Sequence, residues 1–279
     1  MTSDLTLEKF KKNKSEFPNV LELLPVFIIN LMDSSDRREF MKTQCENLGV
    51  SPVFIDAVYG KDLTNSDIEK HYNQKEAKQL FGRDLLLGEI GCALSHKKVY
   101  QKIADENIPY AVILEDDALI KNGFIEVIKL TLDSDVNWEL VLLGHHKNAF
   151  KGICSPLSVW EKAYLDSVYT LNRLADFGFG TYGYIISNKG ANKLLSDIKN
   201  ISRPIDHYTC DSNIINVYAI FPIVVEVNYD FDNIIDNRKT RTIEKNKIHI
   251  KFLKKIGFLD KAVSIKIFLK TLIPIRKYK

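Results

Sequence analysis

The sequence predicts an α/β protein built around a largely parallel sheet, and three observations carry that prediction. Short runs of β-branched and aliphatic residues recur at Val26 to Asn30, Val53 to Ile55, Tyr110 to Leu114, Leu140 to Leu143 and Tyr184 to Ser187. Segments with apolar residues at helical spacing separate most of these runs, and such alternation fits parallel strands joined by crossovers. The length, 279 residues, allows one large domain or a domain with an appendage, and 45% hydrophobic with 27% charged residues is ordinary for a soluble globular protein.

Taken in order, residues 1–24 read as a polar leader holding a short helix. The apolar run from Val26 to Asn30 is a buried strand. Asp36 is placed to cap the following helix, with Glu39 three residues on, and Phe40, Cys45 and Leu48 give that helix an apolar face. Val53 to Ile55 is a second short strand, and the polar stretch 61–82 holds two small helices. Gly88 opens a helix carrying Ile90, Leu94, Val99 and Ile103. The third strand, Tyr110 to Leu114, runs straight into Glu115, Asp116 and Asp117, and a helix and the strand Leu140 to Leu143 follow. Residues 144–182 read as a long irregular region, and a loop of that length is more often functional than decorative. Ser187 caps a helix with Ala191, Leu194, Leu195 and Ile198 on one face. Tyr218 to Val227 is β-rich, with Pro222 placing it near a sheet edge.

Net charge is only +3, but it is unevenly spread. Lys245 to Lys279 hold eleven Lys/Arg and one acid, Asp260, a local charge of +10; the other 244 residues hold 28 basic and 35 acidic side chains, or −7. A mildly acidic body argues against nucleic-acid binding, which needs a basic surface on the folded domain. Cys45, Cys92, Cys154 and Cys210 are widely spaced with no C-x-x-C pair, so neither a zinc cage nor a disulfide framework is suggested. The richest apolar stretch, Ala262 to Ile275, is broken by Lys266, Lys270 and Pro274 and falls short of the ~20 residues a span needs. Gly178 to Gly183 spells G-x-G-x-x-G, yet it precedes a strand where the dinucleotide fingerprint precedes a helix, so its glycines read as backbone room in a site loop. His145 and His146, adjacent on extended chain, point apart and read as loop lining in preference to a metal pair.

The chemistry is concentrated in Glu115-Asp116-Asp117. Ligands of open α/β sheets bind at the carboxyl ends of strands, where this triplet lies. Alternation sends Glu115 and Asp117 to one side and Asp116 to the other. Two unit charges 4 Å apart repel by about 4 kcal/mol at an effective dielectric of 20, so clustered acids call for a cation, and oxygen ligands suit Mg²⁺ or Mn²⁺. A solvated acidic turn that caps the next helix is the competing reading. Asp206, stiffened by Pro204, is a candidate base for an acceptor hydroxyl, or else a turn-forming Asp.

Six segments together resemble glycosyltransferase family 25, the lipooligosaccharide galactosyltransferases and their collagen-modifying relatives. They are Ile28-Ile29-Asn30-Leu31 with Arg37-Arg38, Phe54 to Gly60, Gly88 to His96, Ile113 to Ala118, Gly180 to Ser187 with Gly190-Ala191, and Pro204-Ile205-Asp206. They stand in the family's order over about residues 26–225, and Gly88-Glu89-Ile90-Gly91-Cys92 with Ser95-His96 is the most specific. The resemblance implies a GT-A-like, Rossmann-type nucleotide-sugar-binding domain, a UDP-sugar donor (UDP-galactose most often) and inversion by direct displacement. It implies that Asp117 binds Mn²⁺ or Mg²⁺ and that Glu115 shares the ion or contacts the ribose, with Asp116 beside them. Asn30, Asp56, Ser95 and His96 match motif positions near the nucleotide, and Arg37 is either a phosphate contact or a helix-surface residue. Tyr182 departs from the Ala of many relatives, and no late metal-binding motif can be matched beyond Pro222.

The expected organisation is a leader (1–24), a catalytic domain (25–240) and a basic tail (241–279). In the tail, Phe252, Ile256, Leu259 and Val263 recur at helical spacing among lysines, as in an interfacial amphipathic helix. Each cation near an anionic leaflet contributes ~1 kcal/mol; a helix packed on the domain is the other reading. With a polar N-terminus unlike a secretory signal, the expectation is a bacterial cytoplasmic enzyme, peripheral at the inner membrane and acting on a glycolipid or oligosaccharide acceptor. A catalytically silent sugar-nucleotide-binding or assembly protein of the same fold is the competing class, and transfer of glucose or an N-acetylhexosamine is the competing reaction.

Overall fold

The computed structural model of the chain describes residues 24–146, 155–175 and 178–231. The predicted leader helix and the predicted basic amphipathic tail lie outside the described residues. In chain order, β1 (Val26–Asn30), α1 (Ser35–Asn47) and β2 (Val53–Asp56) come first, followed by a 3₁₀ turn at Gly60–Asp62. Next are α2 (Asn65–His71), α3 (Gln74–Phe81), α4 (Leu87–Asp105), β3 (Tyr110–Glu115), β4 (Ala118–Ile120), α5 (Phe124–Asp133) and β5 (Leu140–Leu142). The second half holds β6 (Leu157–Tyr164), β7 (Thr170–Leu174), β8 (Gly183–Ser187), α6 (Asn188–Asp197), α7 (Asp206–Thr209), β9 (Val217–Phe221) and β10 (Val225–Val227).

Eight of these strands form one sheet in the order β2-β1-β3-β8-β5-β9-β7-β6. The pairs β1/β2, β1/β3 and β5/β9 are parallel, while β3/β8, β5/β8, β7/β9 and β6/β7 are antiparallel. Following those senses across the sheet, β2, β1, β3, β5, β9 and β6 run one way, and β8 and β7 run against them. The sheet is therefore mostly parallel in strand direction but mixed in pairing.

Both faces of the sheet are covered along β1, β3, β5 and β8, which is why those strands read as apolar runs. Phe27, Ile29, Ala111 and Ile113 face a core shared with Ile90, Val99 and Ile103 of α4 and with Leu194 of α6. Val26, Ile28, Val112 and Leu114 face the opposite core, with Met41 and Cys45 of α1 and with Val127 and Ile128 of α5.

Helix ends follow local chemistry. Asn73 caps α3 by accepting from the Glu76 N–H, and Gly82 ends it at φ +67°, a left-handed conformation that suits glycine. Ser187 caps α6 by accepting from the Gly190 N–H, as predicted. Asp36 is not the cap of α1: Ser34 holds that position and Asp36 lies in the first turn, where a carboxylate favours the unpaired N–H groups.

Two further expectations are corrected. The region 144–182 contains the hairpin β6–β7; β6 is an edge strand whose register shifts between Leu157 and Lys162, and its exposed Val159, Trp160 and Tyr164 break the apolar alternation that signals a strand. The β-rich run from Tyr218 splits at Pro222 into β9 and β10. β9 sits inside the sheet, because Phe221, its last paired residue, precedes the proline, and no ladder N–H is lost. β10 pairs with β4 as a separate two-stranded flap. Among the described residues no helix is long and apolar enough to cross a membrane.

Candidate active site

The parallel trio β2-β1-β3 brings its carboxyl ends together: Asn30 pairs with Asp56, and Ile29 with Glu115. β3 ends at Glu115, while Asp116 and Asp117 lie in the turn after it, outside the alternation expected of an extended chain, and both of their carboxylates approach Arg37.

Asp116 is turned toward α1. Arg37 donates to its Oδ1 at 2.8 Å and the Asn30 amide donates to its Oδ2 at 2.9 Å. Asn30 is itself buried, and it also donates to the Ser34 carbonyl and accepts from Arg38. Asn30 and Asp116 therefore act as a clasp between β1, β3 and the start of α1. The nucleotide contact expected of them finds their polar atoms already engaged. Arg37 also lies 3.6 Å from Asp117 and beneath the Phe231 ring, so it is a partly buried site residue and not a helix-surface cation.

Glu115 is turned the other way, toward α4. Its Oε1 lies 3.2 Å from His96 Nε2, whose Nδ1 lies 2.8 Å from the Tyr184 hydroxyl, which lies 2.7 Å from that of Tyr100. His96, Tyr184 and Tyr100 are fully buried, and burial draws the imidazole pKa down to about 4. Cys92 stands close enough to His96 and Glu115 for the three to surround an ion. Both ring nitrogens of His96 are already engaged, however, so such a site would require breaking the Tyr184 or Glu115 contact.

Asp117 carries the clearest sign of a missing partner. Its Oδ1 is buried with no hydrogen-bond partner among the described residues, although buried polar atoms are almost always paired. Burial, then the charges of Glu115 and Asp116, push its pKa up to about 7. Burial, then the charges of Asp206 and Asp116, push Glu115 up to about 8. Desolvated carboxylates that raise one another in this way fit a divalent cation held by Glu115 and Asp117, with the orphaned Asp117 oxygen as the structural evidence for it.

Asp206, in the first turn of α7, joins the acid group, close enough to raise the Glu115 carboxyl. Its Oδ1 accepts from the Gly180 and Thr181 N–H groups at 3.0 and 3.2 Å and from the Thr181 hydroxyl at 2.8 Å. The glycines of that loop are backbone room, as read from the sequence: a Cβ on Gly180 would lie 2.5 Å from the Gly144 carbonyl.

Asp56 is exposed at the end of β2. Ser95 is spent on the scaffold: its hydroxyl accepts from the Val58 N–H at 2.8 Å and donates to the Gly91 carbonyl at 2.7 Å. A Cβ on Gly91 would come within 2.6 Å of the Val58 carbonyl, so the most specific motif is largely the surface by which α4 packs on the 58–60 turn. The two histidines diverge as expected. His145 bonds the Ile220 carbonyl and the Ser155 N–H, while His146 stacks between Phe179 and Tyr182.

Sequence reasoning missed Thr181, Tyr184 and Tyr100. Tyr100 had a signal, since it falls one turn after His96 on the same helix; Tyr184 read only as strand. It also missed Asn228, whose N–H donates to the Asp117 carbonyl at 2.7 Å and ties the end of β10 to the acid turn.

A mixed sheet covered on both faces by helices, with a carboxylate cluster and a glycine loop near its strand ends, defines an α/β domain with its titratable groups gathered where open α/β sheets bind ligands. The chain belongs to glycosyltransferase family 25: the family model, described as glycosyltransferase family 25 (LPS biosynthesis protein), matches residues 23–209. It is 29% identical over 203 residues to procollagen galactosyltransferase 1-A of Xenopus laevis, a match covering 69% of this chain and 31% of that one. It is 30% identical over 207 residues to procollagen galactosyltransferase 1 of Danio rerio, covering 68% and 33%. It is also 27% identical over 190 residues to a Bos taurus protein named "Probable inactive glycosyltransferase 25 family member 3", covering 64% and 30%. The chain thus spans about a third of the length of these relatives.

Proposed function

We propose that this chain is an inverting, GT-A-like hexosyltransferase that moves galactose from UDP-galactose to a saccharide hydroxyl. The observation that carries this reading is the unpartnered buried oxygen of Asp117 beside Glu115, with Asp206 facing them. When bound, a Mn²⁺ or Mg²⁺ ion offsets the charge that builds on a departing diphosphate. The protein's own residues do the rest. Glu115 and Asp117 would hold the ion, and the Asn30–Asp116–Arg37 clasp fixes the acid turn. Asp206 has Oδ1 tied to Gly180 and Thr181, which orients the carboxyl and leaves Oδ2 to take the proton from the attacking hydroxyl.

The family's description as LPS biosynthesis proteins supports a lipooligosaccharide acceptor, and the names of the relatives support galactose as the transferred sugar. The basic segment Lys245 to Lys279 supports placement at an anionic membrane surface on the cytoplasmic side. The relative named as inactive gives the competing reading, a silent sugar-nucleotide-binding protein. Hydrolysis of a panel of UDP-sugars, with Mn²⁺ and with EDTA, tests the proposal. Metal-dependent cleavage of UDP-galactose that Asp117→Ala abolishes, with folding retained, is the expected result. Silence toward every donor in a protein that still binds UDP would leave the silent reading standing.

A further inference from the structure

We propose that Tyr100, Tyr184 and His96 form a one-way hydrogen-bond relay that positions Glu115, with His96 held as the tautomer that carries its proton on Nε2. Among the described residues the Tyr100 hydroxyl touches only the Tyr184 hydroxyl, and the Tyr184 hydroxyl touches only Tyr100 and His96 Nδ1. All three side chains are sealed from solvent. Each hydroxyl has a single proton to give, so the directions can be counted.

If Tyr100 donates to Tyr184, Tyr184 donates to Nδ1 and Nε2–H donates to the Glu115 carboxylate, every buried donor is used. If the chain runs the other way, Nδ1–H donates to Tyr184 and Nε2 must accept. Tyr184 would then donate to Tyr100, and the buried Tyr100 hydroxyl would be left with no acceptor, a state that forfeits its hydration without return. The first direction leaves Glu115 as an acceptor, with its Oε1 anchored by His96. Tyr184 and Tyr100 are thus positioning residues, the role that carboxylate- and imidazole-orienting groups have around metal sites.

The functional half of this inference rests on the reading of Glu115 as a ligand to the cation; the tautomer does not. The first measurement is ¹⁵N NMR of histidine-labelled, cation-free protein at mildly alkaline pH. His96 should show a protonated Nε2 and a bare Nδ1. The second is Mn²⁺ affinity by calorimetry. Tyr184→Phe should leave Nδ1 without its donor, free the imidazole to tilt and weaken Mn²⁺ about tenfold or more, while Tyr100→Phe should keep the tautomer and stay within about threefold of the native affinity. Should Tyr184→Phe fail to fold, His96→Gln, whose amide can still donate toward Glu115, should bind Mn²⁺ more tightly than His96→Ala. A proton on Nδ1 in the native protein, or Mn²⁺ binding by folded Tyr184→Phe equal to that of the native protein, overturns the relay. The predicted tautomer in a protein that binds no Mn²⁺ upholds the relay and removes Glu115 from the ligand set.

Discussion

Asp117 and Glu115 are held where their charges are costly, and that cost is measurable. In the cation-free protein their pKa values stand at about 7 and about 8, against 3.8 and 4.5 for the free groups. In the window between, the folded chain keeps protons that the unfolded chain has lost. Their contribution therefore makes stability fall as pH rises through that window, and the loss levels off above the folded values. Unfolding in EDTA at about pH 5 and about pH 8 should show this slope, and Asp117→Asn should flatten it. The same substitution should stabilise the cation-free protein by about 1–3 kcal/mol at the higher pH, because it removes a buried, repelled charge. Loss of metal-dependent turnover together with that gain would mark a residue kept for chemistry at the expense of stability.

At the scale of elements, α4 decides whether the site exists. It presents Gly91 and Ser95 to the 58–60 turn and His96 to Glu115, two adjacent faces of one helix with separate tasks. Ser95→Ala should leave the Val58 N–H unpaired and cost about 1–3 kcal/mol in chemical denaturation. The KM for the sugar donor should stay within about twofold, since the hydroxyl faces the scaffold; a large rise in KM with little loss of stability would restore Ser95 to the nucleotide pocket. The β6–β7 hairpin shows why some elements escape sequence reading. Its inner strand carries Asn172 and Arg173 buried among polar partners, and its outer strand exposes Trp160 and Tyr164, so neither has the hydrophobic period of its secondary structure.

For the whole molecule, the proposed cation would be thermodynamically linked to the fold through the acid cluster. An ion that binds only the folded chain adds about 2.7 kcal/mol at a hundredfold excess over its Kd, a rise in Tm of several degrees for a domain of this size. The shift with Mn²⁺ should be larger at about pH 8 than at about pH 6, because the ligands must first lose their protons. A Tm indifferent to Mn²⁺ at both values would remove the cation from the site. The sequence by itself determined the strand runs of β1, β2, β3, β5 and β8, the small helices before α4, the cap at Ser187 and the acid triplet, since these depend on near neighbours and on periods of two and of three to four residues. Only the tertiary structure decided that β8 enters antiparallel between β3 and β5, that Asn30 and Asp116 clasp each other, and that a tyrosine pair stands behind His96. The side-chain contacts among these join residues 84 to 88 positions apart, and no local pattern records which buried polar groups will meet, because the partner of each is chosen by packing and by the need to leave no donor unpaired.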